Sequence, residues 1–248
     1  MRKSKYLVLS SVYFKFDTKL SKIIEIKTLF ENQNILDLYR FDKMISIKEN
    51  QFMEKNINFI YLQKNIKVIE KNAFCKNQIE VLNLSNCTNL NIIKECAFES
   101  NQIKYLKLNQ NIEIIKDGVF YKNNIILLDL SQCTKMKTIH TNAFSFIQIK
   151  YLKLSQSLEK IYYFAFRNNQ IELLDLSNCI KLKDIYKYAF SYNPLNEIKI
   201  LNDIEIEYGD YSFNDDDLWN NFAKYYNKNN KKAGDYKLEN NEWKWYPL

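Results

Sequence analysis

Residues 171–179 read I-E-L-L-D-L-S-N-C, and versions of this stretch return at 57–65, 79–87, 103–111, 125–133, 149–157 and 195–203. Apolar residues fill the first, fourth and sixth places in every copy. A short strand with one apolar edge cannot bury that edge alone, so copies at a fixed period must stack on one another. The reading is therefore a solenoid, and everything else in the chain is placed relative to these stretches.

Between them runs a second beat. Phenylalanine marks each coil at Phe52, Phe74, Phe98, Phe120, Phe144, Phe166, Phe190 and Phe213, at intervals of 22, 24, 22, 24, 22, 24 and 23 residues. A small or short residue precedes most of them, as at Ala73, Ala97, Val119, Ala143, Ala165 and Ala189. A further apolar pair lies upstream, for example Ile112 and Ile115 or Leu182 and Ile185. Each coil then reads as a short strand, a turn, an apolar corner and a tight helical or 3-10 turn bearing Ala-Phe, which suits a repeat of 20–29 residues. Stacked phenylalanines are expected to form a spine. The longer coils carry Cys87, Cys133 and Cys179 where the shorter ones have Asn65, Asn111, Ser157 or Asp203, so the sequence unit is 46 residues, or two coils.

The spacing L-x-x-L-x-L-x-x-(N/C), joined to I-x-x-x-A-F, resembles the BspA-like leucine-rich repeats, which occur mainly in bacterial surface proteins. The resemblance covers residues 52–206 and extends in weaker form over 28–213. It implies a leucine-rich-repeat solenoid with short parallel strands on one face and short helical turns opposite. It also implies a non-enzymatic, protein-binding role. The stretch beginning at Phe222 and ending at Trp243 is similar to tails that close some bacterial members.

The ends differ from the middle. Residues 1–50 read as degenerate N-terminal repeats or a cap: Phe30, Ile35, Leu38, Met44 and Ile47 keep the beat, whereas Arg40 takes a place that should be apolar. Val12, Phe14 and Phe16 alternate like a strand. No small-x-small cleavage site follows the apolar run after Lys5, which ends at Lys15, so a first strand is expected in place of a signal peptide. Residues 51–206 form the regular repeats and 207–248 a C-terminal cap. In that cap Asn214 and the aspartates at 215–217 resemble a helix N-terminus. Leu218, Phe222 and Tyr225 share a helical face, and Tyr236/Leu238 with Trp243/Trp245 alternate as a hairpin.

Composition excludes more than it assigns. The chain of 248 residues has 3 Gly and 2 Pro, which argues against flexible linkers, and no apolar run approaches a membrane span. Its net charge of +7 comes from 36 bases against 29 acids, a modest surplus. Nucleic-acid binding would need a lysine-rich face interleaved with aromatics, and on the strand face Asp129 and Asp175 interrupt the lysines. His140 is the only histidine, with no second one to share a metal or build a triad, and no glycine-rich phosphate loop exists. No catalytic residue, cofactor or metal site is therefore expected. Cys87, Cys133 and Cys179 recur two coils apart, about 10 Å at the spacing of stacked strands, too far for a disulfide, which needs Cα atoms within about 7 Å. Cys75 and Cys96 lie near one corner of adjacent coils, and their pairing stays open.

Function is expected on the outward strand face, because strand side chains alternate. One column reads Phe59, Val81, Tyr105, Leu127, Tyr151, Leu173, Glu197; beside it run Tyr61, Asn83, Lys107, Asp129, Lys153, Asp175 and Lys199. The second column alternates in charge, so neighbours such as Lys107 and Asp129 are expected within pairing distance. The first is an apolar strip on a surface that should be wet, the usual mark of a partner site. Its competing role is to hold register between coils. The family resemblance implies a surface or secreted adhesion protein gripping a host or matrix protein. Unpaired cysteines and the lack of a leader point instead to an intracellular interaction scaffold. A monomer is expected in both cases.

Overall fold

The structure, a computed structural model, describes residues 6–9, 12–15, 24–27, 34–39, 41, 43–209 and 217–247. Phe16, Phe30, Arg40, Phe213 and residues 214–216 of the sequence argument lie outside the described residues. The coils stack on one another, and the first, fourth and sixth places of each repeated stretch face a common core. Every coil from Phe52 to Phe190 contributes its Phe to one buried column, with successive ring centroids 5.1 to 5.8 Å apart and rings nearly parallel.

Two sets of parallel strands hold the coils together. The inner set is a ladder of two-residue strands, from Ser46–Ile47 through Ile92–Ile93 and Thr138–Ile139 to Glu205–Ile206, and its eight members pair without interruption. Each of these strands ends on a buried isoleucine, the second member of the apolar pair upstream of the Phe. The front set consists of Asn34–Asp37, Ile57–Tyr61, Val81–Asn83, Tyr105–Lys107, Leu127–Asp129, Tyr151–Lys153, Leu173–Asp175 and Glu197–Ile200. It is broken into blocks. Tyr105–Lys107 pairs with Val81–Asn83, Leu127–Asp129 with Tyr151–Lys153, and Leu173–Asp175 with Glu197–Ile200, with no ladder joining 107 to 127 or 153 to 173.

From Leu127 onward the blocks are the 46-residue units, whereas at the start of the stack one ladder runs from Asn34–Asp37 through Ile57–Tyr61 and Val81–Asn83 to Tyr105–Lys107. In each unit, the long coil donates onward across the strand end, as in Leu84 N–H to the Lys107 carbonyl and Leu130 N–H to the Lys153 carbonyl. The short coil answers with a buried polar side chain: Asn109 Nδ2 donates to the Cys87 and Leu90 carbonyls, and the Ser155 and Ser157 hydroxyls reach Cys133 and Met136. Bonds thus close within a unit. Between units beyond Lys107 the backbone relies on the corners and the inner ladder.

The Ala-Phe corners are hydrogen-bonded turns with no helical residue, where the sequence spacing suggested a helical or 3-10 turn. The cause is visible in the backbone. The residues two before and two after each Phe, such as Asn72 and Lys76 or Asn142 and Phe146, have left-handed φ near 55°. That alternation turns every second N–H along the stack. Asn72, Phe74 and Lys76 donate to the Glu95, Ala97 and Glu99 carbonyls of the next coil, leaving Ala73 and Cys75 to close local turns. A helix would direct all of these amides within its own coil and forfeit the ladder. Gly118, at φ 63°, is the one glycine in this left-handed row.

Further elements flank the stack. At the N-terminal side Ile24–Lys27 lies antiparallel to Asn34–Asp37, and Tyr6–Leu9 pairs with Val12–Lys15, the strand expected from the alternation there. At the C-terminal side Asp217 caps the helix Leu218–Lys228 by accepting from the Trp219 N–H. Its buried face is Trp219, Phe222, Ala223 and Tyr226, with Leu218 and Tyr225 half-buried beside it. Trp219 lies 4.9 Å from Phe190 and so ends the phenylalanine column. The hairpin Gly234–Glu239 and Glu242–Tyr246 turns through Asn240 and Asn241, both left-handed as a two-residue hairpin turn requires, and pairs antiparallel with Glu197–Ile200. Gly234 is fixed by close approach: a Cβ there would lie 2.1 Å from Trp245 Nε1.

Candidate functional site

The front strands present every second side chain to solvent, and the predicted apolar column is in register. Phe59 stands opposite Val81 and Val81 opposite Tyr105; Leu127 faces Tyr151, and Leu173 faces Glu197. Its centre is open to water, with Val81 43%, Tyr105 50%, Leu127 59%, Tyr151 59% and Leu173 44% exposed. Phe59 and Tyr61 are half-buried at one end, and Glu197 and Lys199 at the other, where the C-terminal hairpin adds its strand. Tyr61 stands opposite Asp37, and burial together with that carboxylate pushes its phenol up to about 12.

Ile126 joins this strip, 53% exposed beside Leu127. The sequence argument passed over it because the position precedes the alternating pair. A signal was there. In the other coils the same place holds Glu80, Lys104, Lys150 and Glu172, which pair as Lys104–Glu80 at 2.9 Å and Lys150–Glu172 at 3.7 Å. An isoleucine in a row of paired charges marks the middle of the face.

The second column behaves differently from expectation. Among the described residues Lys107 and Asp129 form no ion pair. Asp129 Oδ1 accepts instead from the Ser131 N–H and hydroxyl, at 2.9 and 2.6 Å, and Asp175 does the same with Ser177. Burial raises the Asp129 carboxyl, but the Ser131 hydrogen bonds and Lys153 outweigh it and hold the group below its ordinary value. The reason lies in the break between units: Lys107 and Asp129 belong to different blocks, whereas a serine two residues on is within reach of each aspartate. Lys199 lies 3.4 Å from Glu197 of its own strand. Lys107, Asp129, Lys153, Asp175 and Lys199 thus form a margin of alternating charge along the apolar strip.

Elsewhere the chemistry is structural. His140 Nδ1 lies 3.4 Å from Asp117 and its ring stacks 4.8 Å from Tyr162. Burial, then Lys116, lowers its pKa against the pull of Asp117. All five cysteines are free thiols. Burial pushes Cys87 up to about 11 and Cys133 and Cys179 to about 12, which makes them poor nucleophiles. Among the described residues no group of three or more His, Cys, Asp or Glu is placed to hold a metal ion, and no helix is long and apolar enough to cross a membrane.

Coils of parallel strands around a stacked apolar core define a leucine-rich-repeat solenoid. The family model described as BspA type leucine rich repeat region matches residues 22–136 and 126–242 with 6 copies, and the chain belongs to that family. A crystal structure of a leucine-rich repeat protein from Bacteroides ovatus is similar at 15% identity, over 83% of this chain and 68% of that one, with a TM-score of 0.35. No curated protein matches.

Proposed function

We propose that this chain is a non-enzymatic protein-binding module whose contact surface is the front strip centred on Tyr105, Ile126, Leu127 and Tyr151. The observation that carries the reading is the exposure of this strip: large apolar side chains stand side by side on solvated strands while the core beneath is already filled. A contiguous exposed apolar surface of this kind marks partner sites, and solenoids bind on such faces. Lys107, Lys153 and Lys199 flank it and would set orientation and salt dependence more than affinity.

The partner class follows from family resemblance: a host or matrix protein, gripped by a surface or secreted adhesion protein. Five free thiols support a second reading, an intracellular scaffold in a reducing compartment. Surface proteolysis of intact cells separates the two. The contact surface itself is tested with immobilised full-length chain and purified matrix proteins, comparing wild type with Tyr105→Ala/Tyr151→Ala. Loss of a tyrosine hot spot costs about 2 kcal/mol or more, roughly a 30-fold loss of affinity. Circular dichroism should be unchanged, since neither ring enters the core. Equal capture by both proteins would refute the assignment, and an unfolded double variant would show that the strip holds coil register.

A further inference from the structure

The corner that leads into the front strands changes character along the stack. In the early coils it is laced with ion pairs such as Lys76–Glu54 and Lys94–Glu70. In the later coils the corner segments 140–150, 162–171 and 186–195 contain no carboxylate at all, yet carry Lys150, Arg167 and Lys187. Aromatic rings replace the acids. Tyr121 packs edge-on to Phe146 at 5.5 Å, Lys122 Nζ lies 5.2 Å from the Tyr121 ring centroid, and Phe164 stacks on Tyr188 at 5.3 Å.

Arg167 sits in the middle of them. Its guanidinium carbon lies 4.8 Å from the Tyr192 ring centroid, 5.3 Å from Phe164 and 5.9 Å from Phe146, rings contributed by three successive coils. Its backbone is pinned, because its carbonyl accepts from the Phe146 N–H and the Ser145 hydroxyl. Its head group is not: Nε is buried without a hydrogen-bond partner, and no described residue accepts a bond from the guanidinium. Guanidinium groups in apolar surroundings normally have a carboxylate or phosphate in their plane, joined by charge-assisted bonds. Here three aromatic rings stand 4.8 to 5.9 Å from the guanidinium carbon, and among the described residues Arg167 forms no ion pair.

We propose that Arg167, framed by Phe146, Phe164 and Tyr192, is a binding site for an oxyanion, a phosphate or carboxylate group, separate from the front strip. Its test uses the full chain labelled with ¹⁵N and titrated at constant ionic strength with inorganic phosphate and, separately, with acetate. The readout is the Nε–Hε resonance of Arg167, assigned by its loss in Arg167→Met, against those of Arg2 and Arg40. A saturable shift of Arg167 with phosphate alone identifies a phosphoryl ligand; a saturable shift with acetate as well identifies a site open to carboxylates. In either case the thermal midpoint should rise with the anion, and Arg167→Met should abolish that rise. Tyr192→Leu should keep the fold and weaken the affinity by about tenfold, the equivalent of one lost favourable contact of 1.4 kcal/mol. Absence of a saturable Arg167 shift with both anions, or equal unsaturable drift of all three arginines, would overturn the proposal, and this wild-type titration decides even where a variant fails to fold.

Discussion

Replacing Asn101 by leucine isolates one rung of the ladder that joins the corners. Asn77, Asn101, Asn123, Asn169 and Asn193 occupy equivalent buried places three residues after Phe74, Phe98, Phe120, Phe166 and Phe190. Asn101 Oδ1 accepts from the Ile79 N–H at 3.1 Å, and its Nδ2 donates to the Phe74 and Phe98 carbonyls at 2.9 and 3.2 Å. Leucine has the same branching and number of side-chain heavy atoms and none of these bonds. The two carbonyls keep second donors, Asn77 and Asn123, but the Ile79 amide has no other acceptor. One orphaned buried amide costs about 1–3 kcal/mol and each of the two lost bonds to a still-bonded carbonyl about 0.5–1 kcal/mol, so the substitution should destabilise by roughly 2–5 kcal/mol. Urea unfolding followed by circular dichroism measures it. The chain supplies its own control. At the fourth of the six rungs the place is taken by Ile147, which leaves the Ile125 amide without that acceptor. Ile147→Asn should therefore stay within about 1 kcal/mol of wild type, its new bonds offsetting the lost apolar contact, whereas Ile147→Ala should cost about 2 kcal/mol or more. Asn101→Leu at wild-type stability would refute the ladder as a source of stability.

Truncating the spine at Phe120→Ala should cost about 3–5 kcal/mol in the same assay, because the ring is fully buried between Phe98 and Phe144. Removing residues 217–247 uncovers Phe190 and the strand Glu197–Ile200, so the shortened chain should aggregate on size-exclusion chromatography. The thiols predict alkaline unfolding. Folded Cys133 and Cys179 have pKa values raised from 9.0 to about 12, so the unfolded chain loses these protons first as pH rises. Stability is then full below pH 9 and falls between about pH 9 and 12, at up to about 1.4 kcal/mol per pH unit for each thiol. Thermal melts across that range check it, with Cys133→Ala/Cys179→Ala flattening the slope. Alkylation in denaturant without reductant should label all five cysteines, and a disulfide between any two of Cys87, Cys133 and Cys179 would break the coil register described above.

Much of the architecture was legible because it rests on periodicity. The Phe beat and the L-x-x-L-x-L stretches fix which side chains face inward, and the stacked column from Phe52 to Phe190 follows from them. The alternation of 22 and 24 residues also carried meaning, since both breaks in the front sheet, after Lys107 and after Lys153, fall between 46-residue units. Two features could not be read that way. The left-handed residues around each Phe include Lys76, Cys96, Phe146 and Tyr192, side chains without turn character, so the corners look helical in sequence. The conformation is imposed by bonds to the next coil, and tertiary contacts overrode local preference. Nor could charge alternation show that Lys107 and Asp129 would miss each other, because strand spacing was assumed uniform where the units part.

The partition into units also bears on how the front face can act. Tyr105 and Leu127, like Tyr151 and Leu173, flank junctions where no strand ladder forms, so the most exposed members of the strip line the seams between rigid blocks. Across each seam the inner ladder, the phenylalanine column and the Asn corners continue. The back is thus continuous while the front is jointed, which concentrates any bending of the solenoid at the seams. A partner inserting against Tyr105, Ile126 and Leu127 would span one of them and couple two blocks at once. Binding there should accordingly slow amide exchange at the 107/127 junction more than within the block 81–107, an expectation that hydrogen exchange of the bound and free chain measures directly. Protection confined to one block would mean that the contact surface stops at the seam and that the strip acts as two smaller sites.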